Sequence, residues 1–139
     1  AAAEVAGEGI VIALADRLGK RRLALWGAWL SAPAYLALPL LGNTLPAALT
    51  ALFFVFLCVE VSIVASLPLF TDVLPGARAV MMSGNVGAHA LGRLLGAAAG
   101  GALYAALHDF RVVGLAAALL ALASAALLHR SVREGGGGA

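Results

Sequence analysis

Apolar runs too long for a water-soluble fold recur down this chain. Residues 23–41 carry no charge at all, and comparable runs occupy 1–15, 47–70, 79–107 and 112–128. These runs are apolar all round and lack the charged outer face that a soluble helix keeps. A helix crossing ~30 Å of hydrocarbon needs ~20 residues. The second to fourth runs meet that length, the fifth meets it with a locally adapted bilayer, and the first is too short. In lipid, backbone polar groups have no water to bond, so helices are the economical solution. The expected fold class is therefore all-α, a polytopic membrane helical bundle of five segments over residues 1–134, with a flexible glycine-rich tail over 135–139. Composition agrees: 63% of the residues are hydrophobic and 12% charged, against about a quarter charged in an average soluble chain.

Short links join the runs, so neighbouring helices run antiparallel. Gly42-Asn43-Thr44 before Leu45-Pro46, Thr71-Asp72 with Pro75-Gly76, and His108-Asp109 supply the turns. Pro33, Pro39 and Pro68 fall in or near spans and are expected to kink them, which membrane helices tolerate. Arg17, Lys20, Arg21, Arg22, Arg78, Arg130 and Arg133 all fall on one side, while the opposite links hold only Arg111. The positive-inside rule then makes the first and third links and the C-terminus cytoplasmic. The single cysteine, Cys58, rules out an internal disulfide and a cysteine-built metal site. No phosphate-binding glycine loop appears. The basic residues are divided among membrane-flanking links, which speaks against nucleic-acid binding.

The link from Leu14 to Arg22 reads L-A-D-R-L-G-K-R-R. It resembles the cytoplasmic motif of the major facilitator superfamily, G-x-L-A-D-R-x-G-R-R, from Ala15 to Arg22. Ile12 stands where the motif's leading glycine would be, which matches the looser copy found between that family's eighth and ninth helices. Leu74-Pro75-Gly76-Ala77-Arg78 before a glycine-rich helix looks like the family's link between helices ten and eleven. The resemblance implies helices eight to twelve, a partial C-terminal half whose partner is the N-terminal half of the same protein. A chain that opens inside an apolar stretch fits that expectation. The implied activity is secondary transport of a small-molecule substrate, coupled to protons and needing no cofactor or metal. The implied setting is the lipid bilayer of a bacterial inner membrane. Asp16, Arg17, Gly19, Lys20 and Arg21 would form a gating motif that latches the cytoplasmic side shut. A competing reading has these residues only set topology and reach lipid headgroups.

Glu60 lies near the middle of the third run and Arg93 at the midpoint of the fourth. A charge at that depth costs ~2.5–3.5 kcal/mol on insertion scales. Both runs are therefore expected to face the protein interior, leaving the uncharged second and fifth runs for outer, lipid-facing positions. Two readings of this pair compete. Glu60 is a coupling or cation-binding group and Arg93 an anion-binding one, or the two form a structural ion pair. Asn85, His89 and Arg93 make a polar row at four-residue spacing, and Gly84, Ala88, Gly92, Gly96 and Gly100 make a small-residue ridge beside it, suited to close helix packing. Glu4 and Glu8, one turn apart, could share a proton, bind a cation or line a solvated vestibule.

Two other functions compete with transport. Ser83 with His89 invites comparison with rhomboid proteases, but Met81 replaces the first glycine of their G-x-S-G. The two residues also lie six apart on opposed faces of one helix, which excludes an unaided dyad. A small helical scaffold or accessory subunit explains the length, but not the D-R-x-G-K-R cluster or the intramembrane charges.

Overall fold

The computed structural model describes residues 1–73 and 75–131, apart from the side chains at 72, 73 and 75. Leu74 of the second motif, Arg133 and the glycine-rich tail at 135–139 lie outside the described residues. The described residues form five α-helices: α1 Ala2–Leu18, α2 Lys20–Leu41, α3 Leu45–Val73, α4 Arg78–Leu107 and α5 Phe110–Ser131. A single 3₁₀ turn over Pro75–Ala77 leads into α4.

Several helix ends have a local cause. Pro46 falls in the first turn of α3, where its missing N–H breaks no helical bond. His108 adopts a left-handed φ of 51° and closes α4 with its N–H on the Tyr104 carbonyl at 2.8 Å. The Asp109 carboxylate then accepts the Arg111 backbone N–H at 2.9 Å, an N-cap bond that starts α5 two residues earlier than hydropathy alone indicates. Pro33, Pro39 and Pro68 all lie inside helices.

Among the described residues four helices, α2 to α5, are long and apolar enough to cross a membrane. Helix α1 has 17 residues, about 26 Å of rise, and falls short of the hydrocarbon thickness. The fold is thus an all-α membrane bundle of the expected kind.

The packing order departs from expectation in two respects. α2, expected on the lipid-facing outside, is the centre of the bundle, with its most extensive seam against α3 and the next against α5. The reason is side-chain size. Ala24, Gly27, Ala28, Ser31 and Ala32 are all buried on α2, and small residues let membrane helices close to backbone contact. The Ser62 hydroxyl donates across the seam to the Ala24 carbonyl at 3.0 Å. Ala65 on α3 and Ala125 on α5 are fully covered. Trp26, Trp29, Leu30, Phe54, Leu119 and Leu120 stay exposed and form apolar outer surface.

The reverse holds for α4. None of its residues is buried, and it meets α3 and α5 only along narrow seams. A side-chain carbon added at Gly84, Gly92 or Gly96 would meet nothing within 4 Å, and one at Gly100 would reach only the Val113 side chain at 3.8 Å. Ala88 is likewise exposed. The small-residue ridge therefore has no close partner among the described residues, because α3 and α5 turn their small residues toward α2.

Candidate functional site

Glu60 sits midway along α3 and packs directly on α1. Gly7 is the residue that admits it: a Cβ built there would lie 2.9 Å from Glu60 Cβ and 3.0 Å from its Cγ. Any side chain at position 7 would occupy the space the glutamate uses. Glu4 and Glu8, on either side of Gly7, lie within electrostatic reach of Glu60, as does His89 of α4. Glu60 is thus the group that the carboxyls of α1 and the imidazole of α4 both reach electrostatically, from two separate seams of α3. Among the described residues no group of three or more His, Cys, Asp or Glu is disposed to hold a metal ion.

Of the polar row on α4, Asn85 and His89 are half-buried, while Arg93 is exposed. An i, i+4 row drifts about 40° per step around a helix, enough to carry its far end off the α3 side. His89 Nδ1 lies 2.9 Å from the Asn85 carbonyl oxygen. A carbonyl has no proton to give, so Nδ1 donates, and in the neutral ring Nε2 is left as an acceptor. No ion pair joins Glu60 and Arg93 among the described residues, so the structural-pair reading has no contact to rest on. Ser83 donates its hydroxyl back to the Val80 carbonyl at 3.0 Å. A groove of about 570 Å³ opens between α4 and α5 beside Gly100, Tyr104 and Phe110, away from Glu60.

The motif at the α1–α2 corner is built around Gly19, whose φ of 87° and ψ of 137° suit glycine alone. Its N–H closes α1 on the Ala15 carbonyl at 3.0 Å, and its carbonyl opens α2 by accepting from Leu23 N–H at 3.2 Å. One residue therefore ends one helix and begins the next. Gly19→Ala should cost about 1–3 kcal/mol of stability, read as a lower thermal midpoint in detergent, whereas Gly9→Ala on the exposed side of α1 should cost nothing. Equal midpoints for the two variants would remove the strain argument. Around this corner Asp16, Arg17 and Lys20 are exposed, while Arg21 is half-covered and donates from Nη2 to the His129 backbone carbonyl of α5 at 2.8 Å. The structure therefore separates Arg21 from the rest of the motif.

Two contributors to the site's frame were not singled out from sequence. Gly7 gave no signal, being one small residue in an alanine-rich run. Gly27 had a usable one, since Ala24, Ala28 and Ala32 run beside it at four-residue spacing.

No curated protein and no solved structure matches the chain. The family model of the Major Facilitator Superfamily matches residues 1–137. The members of that family are membrane transporters rather than enzymes, in keeping with four spanning helices and charged groups held within them. Taken with the corner motif around Gly19, this match over nearly the whole length means that the chain belongs to the major facilitator superfamily.

Proposed function

We propose that the chain supplies helices eight to twelve of a secondary transporter, which moves a small solute across a bacterial inner membrane by alternating access. In this reading the basic corner and the C-terminus face the cytoplasm, and the remaining helices of the protein complete the cavity. Coupling is to protons, and Glu60 is the coupling group. The observation that carries this is the placement of Glu60. It lies within a spanning helix, against a glycine that makes room for it, near two further carboxyls and a histidine, and without an ion pair to Arg93. A carboxyl so placed can hold a proton in one access state and release it in the other.

The test is Glu60→Gln in the complete transporter, with all its helices, reconstituted in liposomes with a solute that the wild type accumulates under an acid-outside gradient. Glutamine keeps the shape and abolishes titration. Gradient-driven accumulation should disappear while solute exchange at equal pH on both sides persists. Accumulation with the wild-type pH profile would take Glu60 out of the coupling step.

A further inference from the structure

The described part of α5 runs to Ser131, with His129 and Arg130 in its last turn. One of its last-turn carbonyls, that of His129, accepts the Arg21 guanidinium at 2.8 Å across 108 residues of sequence. A cation at a helix C-terminus also opposes the negative end of the helix dipole. The other end of α5 is held as well: Gly114 lies against the Tyr35 carbonyl and the Pro39 ring of α2. The two fastenings are 15 residues apart (129 minus 114), about 22 Å along α5. Both lead back to α2, since Arg21 sits in its first turn.

We infer that Arg21 is a positioning residue that anchors the basic end of α5 to the α1–α2 corner. Gly19 ends α1 and opens α2 at this corner, so through Arg21 the end of α5 is tied to the point where those two helices meet. The motif thus divides its work. Asp16, Arg17 and Lys20 stay on the exposed surface, where another part of the protein can reach them, while Arg21 acts inward. The inference is independent of whether Glu60 couples transport.

Hydrogen exchange of the full chain in lipid nanodiscs tests it. Arg21→Gln should speed exchange of the α5 amides at 128–131 by roughly two- to fivefold, the size of a cation's effect at a helix C-terminus, and leave α2 and α3 protected as before. Arg21→Lys should recover part of the protection, because it keeps the charge but not the planar fork. Arg22→Gln, which removes an exposed charge next door, should change nothing. Unchanged exchange in Arg21→Gln overturns the anchor. So does an equal effect from Arg22→Gln, which would reduce it to net charge. An even loosening of α2, α3 and α5 overturns it too, since Arg21 would then be holding the whole bundle rather than one helix end.

Discussion

Gly27→Val is expected to disrupt the bundle at its centre. A Cβ at position 27 would lie 2.6 Å from Ser62 N, 2.7 Å from the Cys58 carbonyl oxygen and 2.9 Å from Ser62 Cα. All three are backbone atoms, so no rotamer change on α3 can relieve the contact and the helices themselves must part. A separation of about 1 Å stretches the Ser62–Ala24 hydrogen bond and opens the packing around Ala24, Ala28 and Ala65. Overpacking a soluble core costs typically 1–3 kcal/mol and occasionally more. Here the obstruction is backbone, and association in lipid rests on packing with no hydrophobic drive between helices. We expect a loss of about 3 kcal/mol or more, on the order of 100-fold in the folded-to-unfolded ratio. Titration with a denaturing detergent reads it directly, because Trp26 and Trp29, the only tryptophans, both sit on α2. Gly9→Val, where an added carbon meets nothing within 4 Å, is the control and should leave the midpoint in place. A Gly27→Val chain as stable as that control would show that the α2–α3 seam is looser than its geometry.

The helices were legible in the sequence because membrane insertion is decided locally. A run of apolar residues either meets the required length or does not, and α2 to α5 begin and end within a few residues of the runs that hydropathy defines. The corner at Gly19 was legible for a similar reason, since the glycine, its flanking charges and the two helix ends are all neighbours in the chain. Rotational setting was not. Gly84, Ala88, Gly92, Gly96 and Gly100 form the longer small-residue ridge, yet the close approaches occur at Gly7, Gly27 and Gly114. A small residue permits contact without specifying it, because the facing surface must also be flat, and that surface belongs to a distant stretch of chain. The same limit governs Glu60 and Arg93. Their depths could be counted, but the direction each faces depends on how α3 and α4 turn about their axes, and that set Glu60 against Gly7 with no ion pair to Arg93.

The seam between α2 and α5 should yield to Gly114→Ala and be partly restored by a second change across it. Pro39 has no N–H, so the Tyr35 carbonyl four residues earlier lacks its helical donor. Gly114 comes up against that carbonyl, leaving only 2.9 Å to an added Cβ, with the Pro39 ring atoms at 3.2 and 3.4 Å. The absence of a side chain at Gly114 is thus what lets α5 come this close to the carbonyl, the role small residues play at membrane helix interfaces. Alanine would ordinarily gain about 0.5–1 kcal/mol over glycine inside a helix. The backbone oxygen at 2.9 Å outweighs that gain, so the net effect should be a loss of about 2 kcal/mol. Pro39→Ala removes the ring and supplies an N–H that draws the Tyr35 carbonyl back into its own helix, away from α5. The double variant should therefore be more stable than the sum of the two single changes predicts, by at least about 0.5 kcal/mol. A strictly additive cycle would mean that the proline and the glycine act separately. A positive coupling would identify the free carbonyl of Tyr35 as the reason α5 carries a glycine at this position, and would make the Pro39 kink a docking feature of α2.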